Sequence, residues 1–360
     1  MAAANPCYSE SLEEPSRFDF YGQINRGILS FNDGQDQGTY VFVDNSKSVS
    51  RLGVTFDSSL QNDWRVQAVG EIGLIRKQIN SISQTNPSDS DFEFGKRSLR
   101  KLDVALSHPE RGTFYFGQGA MASDGITGQD LSLTTVVAGA AVKDVAGGFY
   151  FRRKDGALSS FRILERFRTL GESRRFRVGY KSPDLRGFTF SAAAGREILV
   201  EKDKRFYADT AMRYDGSLGD YRVKGGAALR FAGGFSGTEY RDNELNFIAS
   251  GSVLHKPSRF NITSAYGNAR DEGHYVYVKV GRRWYNLLPW GWTAASIDYY
   301  YTKDGPDRDR IGNSIGLALV QRVKSNDLDL YVTVRKYEYD DKEADYFDSL
   351  AVLAGIRWRF

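Results

Sequence analysis

Apolar and polar residues alternate at every second position along most of this chain. In LDLYVTVRKY, residues 328–337, leucine and valine alternate with aspartate, tyrosine, threonine and arginine. In RRFRVGYK, residues 174–181, the aromatic and aliphatic side chains alternate with Arg175, Arg177 and Lys181. A period of two puts one set of side chains on each face of a β-strand, whereas an amphipathic helix needs a period near 3.6. The alternation predicts an all-β protein.

The same pattern recurs from residue 17 to the last residue. Further runs lie at 17–29, 50–58, 64–74, 99–108, 113–119, 187–195, 205–215, 221–231, 244–254, 259–267, 274–284, 292–302, 313–323 and 348–360. The stretch 146–168 is expected to hold one more hairpin, with its turn at Lys154–Ala157. A composition of 44 Phe and Tyr residues, 37 Gly and only 8 Pro fits many aromatic-rich strands joined by turns.

The connections between these runs alternate between short and long. Short turns include SSLQND at 58–63, HPERG at 108–112 and KSND at 324–327, whereas 75–96, 120–145 and 302–312 are long and polar. A barrel that crosses a membrane explains this alternation, because the turns on one side can be minimal while the loops on the other side are free to grow. The sequence therefore favours a transmembrane antiparallel β-barrel.

The chemistry of a lipid bilayer supports this interpretation. No stretch reaches the roughly 18 consecutive apolar residues of a membrane-spanning helix. A β-protein can cross hydrocarbon only as a closed barrel, because every backbone N–H and C=O then has a partner. The charged face of a strand, with Arg222, Lys224 and Arg230 on one of them, would be prohibitively costly in a dry interior. These residues are expected to face water, so the barrel is predicted to enclose a channel.

Several segments together resemble the Gram-negative general porins of the alphaproteobacterial type. They are RFDFYGQINRGIL, SRLGVTF, GTFYFGQGAMASDGITGQDLS, RRFRVGYKSPDLRGFTFSAAAG and the terminal Phe360. The resemblance implies a 16-stranded antiparallel barrel, usually a homotrimer, that passes small hydrophilic solutes across the outer membrane. If both arms of the 146–168 hairpin joined the wall, the barrel would have 18 strands and would suggest a more selective channel.

The resemblance also gives a reason for the aromatic C-terminus. Ile356, Trp358 and Phe360 occupy alternate positions with arginines between them. In this family such a final strand closes the barrel and is the signal that the outer-membrane assembly machinery reads. Residues 17–360 are expected to form the barrel, whereas residues 1–16, which include Cys7, form an N-terminal extension. That segment has no basic and apolar export signal, so a signal peptide is expected to have been removed.

In such porins the third long loop folds inward and places acidic residues opposite basic residues on the wall. On the loop of this chain the acidic candidates are Asp124 and Asp130. The basic candidates on the wall are Arg51, Arg65, Lys101, Arg175 and Arg177. Opposed charges across a narrow aqueous gap create a transverse field that acts on dipolar solutes and ions. The net charge of +4 and the basic lumen suggest a mild preference for anions.

Other classes of protein remain as alternatives. A membrane-embedded enzyme would need a nucleophile with a histidine base, but His108, His255 and His274 lie at turns or beside a loop, outside any nucleophile motif. A soluble β-sheet binding protein would bury its aromatic faces between sheets. Calcium at Asp304, Asp307 and Asp309 is a weaker possibility. The expected protein is a channel without catalysis or cofactor, and its dispersed charges give no sign of nucleic-acid binding.

Overall fold

The computed structural model describes residues 16–74, 77–88, 95–171, 173–236, 239–270, 272–304 and 309–360. The strands are β1 (Arg17–Asn32), β2 (Gln37–Asp44), β3 (Arg51–Ser59), β4 (Arg65–Gly73), β5 (Leu99–His108), β6 (Gly112–Ala120), β7 (Tyr150–Arg152), β8 (Leu158–Arg162), β9 (Arg174–Lys181), β10 (Phe188–Arg196), β11 (Phe206–Leu218), β12 (Tyr221–Ser236), β13 (Glu239–His255), β14 (Phe260–Ala269), β15 (Gly273–Leu288), β16 (Gly291–Asp304), β17 (Ile311–Val323), β18 (Leu328–Asp340) and β19 (Ser349–Arg359). One α-helical turn, α1 (Ile163–Arg166), follows β8, and short 3₁₀ turns lie at Lys96–Ser98, Ile126–Gly128, Val142–Val145 and Lys324–Asn326.

The wall is a closed antiparallel barrel of sixteen strands. The first strand, β1, pairs with β19 from Gln23 opposite Arg359 to Asn32 opposite Leu350, and this pairing closes the ring. On its other edge β1 pairs with β3 in its first half and with β2 in its second half. Since β2 and β3 follow each other along the same edge, they form one wall strand that is interrupted at 45–50. The described sheet thus has seventeen segments but sixteen wall strands.

The hairpin at 150–162 does not belong to the wall. Strands β7 and β8 pair only with each other, as a separate two-stranded sheet. Phe151 and Phe161 pack instead on Tyr339 of β18, at ring-centroid distances of 5.5 and 4.9 Å. The predicted hairpin is therefore confirmed, and the alternative of 18 wall strands is wrong, because the aromatic side chains of this hairpin are buried against the inner side of the barrel rather than against lipid.

The two faces of the wall differ as the alternation predicts: apolar side chains lie outside and polar ones inside. Outward residues such as Phe116 and Leu317 are each 56% exposed. Inward residues such as Asn25, Asp298 and Arg335 are buried, and Arg335 donates two hydrogen bonds of 2.6 and 2.8 Å to the Asp298 carboxylate. An exposed apolar band around a polar interior is the arrangement that a lipid bilayer requires of a barrel.

One long hairpin differs from the sequence prediction. Residues 232–243 were expected to be mostly loop, yet β12 runs to Ser236 and β13 begins at Glu239. The ladder continues there from Ala232 opposite Glu244 to Ser236 opposite Glu239, across a bulge. Cross-strand backbone pairing continues beyond the apolar band because hydrogen bonding along the ladder does not need an apolar face.

Residues 1–15, with Cys7 and most of the expected N-terminal extension, lie outside the described residues, as does Asp307. Among the helices in the described ranges, none is long and apolar enough to cross a membrane. Within the same ranges, no group of three or more His, Cys, Asp or Glu residues is arranged to hold a metal ion.

Candidate pore constriction

The connection from β6 to β9, residues 121–173, folds into the barrel and is anchored first at β11. Asp209, which lies on the inward face of β11, accepts hydrogen bonds from the backbone amides of Ala122 and Ser123 at 3.0 and 2.7 Å. Arg213 donates to the carbonyl oxygens of Ala122 and Asp124 at 2.7 and 2.8 Å. One carboxylate and one guanidinium on the same strand therefore fix the first turn of the loop, including the position of Asp124.

A second anchor lies farther around the wall. Lys279 of β15 forms an ion pair with Asp130, and both side chains are almost completely buried. Thr134 and Ser296 of β16 share a hydrogen bond of 2.8 Å between their hydroxyl groups. The middle of the loop is thus held against β15 and β16 by polar contacts that exclude water.

The remainder of the loop returns along β18 and β16. Tyr337 donates to the carbonyl oxygen of Val142 at 2.6 Å, and Tyr300 donates to that of Arg168 at 2.6 Å. Phe167 packs on the rings of both tyrosines. These contacts confirm the predicted inward-folded third loop and show that it fills much of the lumen on the β15–β18 side.

One face of the loop borders open space. Gly125 has φ of 75°, a backbone conformation that favours glycine, and a Cβ built on Gly125 or on Gly128 would meet no atom within 4 Å. Asp124 immediately precedes this segment. The basic side chains that act electrostatically on Asp124 are Arg174, Arg213, Lys101 and Arg100, from strands β9, β11 and β5.

On the wall, basic side chains gather around one carboxylate. Glu71 of β4 accepts a hydrogen bond from Arg100 at 2.7 Å and one from Tyr21 at 2.9 Å, and Arg51 Nε lies 3.4 Å from its carboxylate. Lys101 acts on both Glu71 and Asp124, and it forms no ion pair with any described residue. We call Arg51, Glu71, Arg100, Lys101, Arg174 and Arg213 the basic cluster.

The predicted wall residues do not all lie together. Arg51 and Lys101 belong to the basic cluster. Arg177 instead forms a bidentate ion pair with Asp103, with both N–O distances 2.7 Å, and Arg175 lies 3.2 Å from Glu197 with its guanidinium over Tyr207.

The last of the wall candidates lies at the other end of the barrel. Arg65 is at the first position of β4, beside the short turn at 60–64, where it pairs with Asp57 and is 61% exposed. Of the acidic candidates on the loop, Asp124 is near the basic cluster, and Asp130 is paired with Lys279.

The sequence prediction missed four members of the cluster, Glu71, Arg100, Arg174 and Arg213, and two of them, Arg100 and Arg174, were missed for a structural reason. On β5 the apolar face carries Leu102 and Val104, so the alternation assigns Arg100 to lipid. The register shifts between Glu71 and Ile72, and this bulge turns Arg100 toward Glu71. Arg174, at the first position of β9, is two positions from the outward Phe176, so alternation assigns it to lipid as well, but it interacts electrostatically with Asp124 and Glu71. Glu71 and Arg213 could have been predicted, because they lie on the polar faces of β4 and β11.

These features define a β-barrel channel whose passage is narrowed by an inward loop. The family model for the Gram-negative porins matches residues 1–342, and the chain belongs to this family. It is an outer-membrane diffusion channel. No protein of curated function matches the sequence.

Solved structures share the fold at low sequence identity. The chain is similar to the anion-selective porin from Comamonas acidovorans, with TM-score 0.64 and 15% identity over 96% of this chain and 100% of that one. It is similar to Salmonella typhi OmpF in complex with daunomycin, with TM-score 0.62 and 12% identity over 97% and 100%. A trimer form of OmpT from Vibrio cholerae matches with TM-score 0.58 and 16% identity over 96% and 100%.

Proposed function

We propose that this porin is a passive, anion-preferring diffusion channel whose narrowest charged passage lies between the Asp124 segment of the loop and the basic cluster. The observation that carries this proposal is the charge balance. The cluster, Asp124 and Asp209, which acts on Arg213, together hold five basic side chains and three carboxylates, an excess of two positive charges beside the open face of the loop.

The excess charge acts where it is least screened. In a narrow passage between protein walls of low dielectric constant, fixed charges raise the local concentration of counterions and exclude ions of the same sign. Four of the cations act electrostatically on Asp124, and this arrangement produces a field across the passage. A small anion is favoured on entry, whereas an apolar solute must disturb water that the charges hold in place. No reaction, metal or cofactor is part of this function.

Not all candidates contribute to the field in the same way. The charges of Asp130, Arg175 and Arg177 are each offset by a close partner, and Arg65 lies at the short-turn mouth. We expect Asp130, Arg175 and Arg177 to fix the loop and its base, and Arg65 to act on ions only where they leave the barrel.

The assembled state follows from the family. We infer a homotrimer embedded in outer-membrane lipid, as the trimer form of Vibrio cholerae OmpT suggests. We also infer that the barrel-assembly machinery reads the last strand. In support, Ile356, Trp358 and Phe360 all lie on the outward apolar face, where another protein can reach them, while Arg357 and Arg359 point inward to Asp329.

Planar-bilayer recording tests the proposal directly. Purified protein is expected to give stepwise conductance in KCl, and its reversal potential in a tenfold KCl gradient is expected to have the sign of anion preference. A reversal potential of the opposite sign would overturn the proposed role of the basic cluster. Folded protein that conducts no ions would overturn the proposal that the barrel is an open channel.

A further inference from the structure

Aromatic side chains surround the short-turn end of the barrel. Five aromatic pairs join neighbouring strands or the turns beside them, and a sixth, Trp358–Phe360, lies along the end of β19. The other five are Phe18–Phe56, Trp64–His108, Phe114–Tyr180, Phe188–Tyr214 and Tyr221–His255, and all six have ring centroids 4.7 to 5.0 Å apart. Such a girdle marks the level where hydrocarbon meets the polar headgroups, and short turns of these barrels face the periplasm. The girdle therefore gives the level of the periplasmic leaflet's headgroups.

Arg282 is a cation that lies on the outer face at this level. Arg282 of β15 follows Val278 and Val280 at alternate positions, so its side chain points outward as theirs do, and it is exposed. Its guanidinium carbon lies 4.9 Å from the ring centroid of Phe260 and 5.2 Å from that of Trp284. Arg282 forms no ion pair with any residue in the described ranges. The outward Arg26 of β1 differs, because it has Asp44 at 3.2 Å as its counterion.

An apolar groove extends from Arg282 along the outer wall. Ala295 of β16 is paired with Arg282 of β15 on one side and with Leu319 of β17 on the other. Its small side chain leaves a depression between these two larger ones. The groove has a volume of about 560 Å³ and continues past Val280, Ile297 and Leu317. All of these side chains belong to the lipid-facing band, so the groove leads from the headgroup level toward the hydrocarbon interior.

We propose that Arg282 binds the phosphate of a phospholipid in the periplasmic leaflet while one acyl chain of the same lipid lies in the Ala295 groove. The charge and the groove require different parts of one molecule. A cation without a protein counterion at the lipid surface needs an anion, and a guanidinium binds phosphate oxygens through paired N–H donors. Phe260 and Trp284 hold the guanidinium between two rings and leave its edge open to a headgroup.

A phospholipid fits these features better than a second protein molecule. A protein partner would have to bring a carboxylate to the headgroup level together with an apolar ridge for the groove. A phospholipid carries its phosphate directly above its acyl chains, which is the vertical order of Arg282 and the groove. The site lies on the outside of the wall, so it is independent of the charges that line the passage.

Native mass spectrometry with added phosphatidylglycerol tests the site, and diacylglycerol with the same chains serves as the probe without phosphate. The variants are Arg282→Gln, which removes the cation, and Ala295→Phe, which fills the groove. Arg111→Gln is the matched control, because Arg111 lies 6.0 Å from the ring of Trp64 in the same girdle and does not line this groove. Unchanged conductance establishes that each variant is folded.

Both site variants are expected to lower the affinity for the tightest-bound phosphatidylglycerol by about tenfold or more. The Arg111→Gln control is expected to bind like the wild type, and diacylglycerol is expected to bind more weakly than phosphatidylglycerol. Equal binding of the two probes, or unchanged binding in Arg282→Gln, would overturn the proposal. A loss of subunit association instead of lipid in Ala295→Phe would also overturn it, because the groove would then hold a second copy of the chain.

Discussion

Asp130 of the inward loop and Lys279 of β15 form an ion pair in which the side chains are 3% and 0% exposed. The ammonium group also approaches the hydroxyl of Thr134 and the carbonyl oxygen of Ala138, each at 3.3 Å. The pair thus joins the middle of the loop to the wall through contacts that solvent does not reach.

The substitution Lys279→Met is expected to weaken docking of the loop by about 3–5 kcal/mol, because it leaves the Asp130 carboxylate buried without a counterion. Channel closures in single-channel records and trypsin cleavage within 121–173 should both increase. The double variant Asp130→Leu with Lys279→Met should recover most of the loss, since no charge is then buried. Asp19→Asn, in the exposed pair with Arg17, is the control and should change neither measurement. Equal behaviour of the single and double variants would contradict the prediction.

Neutralising the loop carboxylate is expected to strengthen the anion preference. Asp124→Asn removes the charge that opposes Arg174, Arg213, Lys101 and Arg100, so the reversal potential in a KCl gradient should move further toward the anion limit. Glu201→Gln makes the same change in net charge at a side chain that is 86% exposed, and it should leave the potential nearly unchanged. Equal shifts in both variants would show that total charge, not the passage, controls selectivity.

Removing a cation from the cluster should act in the opposite direction. Arg100→Gln deletes the guanidinium that donates to Glu71 at 2.7 Å, and the remaining Glu71 charge then attracts cations. The anion-to-cation permeability ratio is expected to fall severalfold. Lys342→Gln, at a side chain 79% exposed, is the matched control for net charge. A permeability ratio unchanged in Arg100→Gln would place the selective passage elsewhere in the barrel.

Acid is expected to loosen the turn that holds the β7–β8 hairpin. Burial alone would raise the pKa of Asp33. Its carboxylate accepts hydrogen bonds from the Asp36 amide and from Arg152, each at 2.9 Å, and these bonds lower the pKa below its usual value. Gln35 and Gln84 make smaller contributions in the same direction. A carboxylate whose folded-state pKa is lowered stabilises the fold above its unfolded pKa, about 3.9, and this contribution is lost as the pH falls through the folded pKa.

Recordings between pH 7 and pH 3 check this expectation. Closures should become more frequent below about pH 4, and in Asp33→Asn they should be frequent already at pH 7. Asp36 is the other acidic partner of Arg152, and its side chain is 76% exposed. The variant Asp36→Asn should therefore have a much smaller effect. Closures that do not depend on pH in the wild type would contradict the role of Asp33.

The last residue is expected to affect assembly more than stability. The amide of Phe360 donates to the carbonyl oxygen of Gly22 at 3.1 Å and its own carbonyl accepts from the Gly22 amide at 2.8 Å, and both bonds survive in Phe360→Ala. The ring lies on the outer surface and is 52% exposed. Pulse-chase labelling should show slower insertion of Phe360→Ala into the outer membrane, with channels of normal conductance once formed. Normal insertion kinetics would argue against recognition of this residue.

Particular residues show how far the sequence could lead. The alternation at 328–337 predicts which side chains of β18 face lipid, and the structure confirms it for Val334 outside and Arg335 inside. Arg51 and Lys101 were found because they lie on polar strand faces. Arg100 and Arg174 were missed because a bulge and the start of a strand turn them away from the face that strict alternation assigns.

The sequence alone determined the β-barrel, its inside-out polarity and the alternation of short turns with long loops, because these depend on a period of two along each strand. The tertiary structure decided that β2 and β3 form one interrupted wall strand, that the 150–162 hairpin lies inside the barrel, and which charges meet around Asp124. Those outcomes depend on contacts between residues far apart in the chain. Asp130 and Lys279 are 149 positions apart, and nothing local to either residue indicates that they pair.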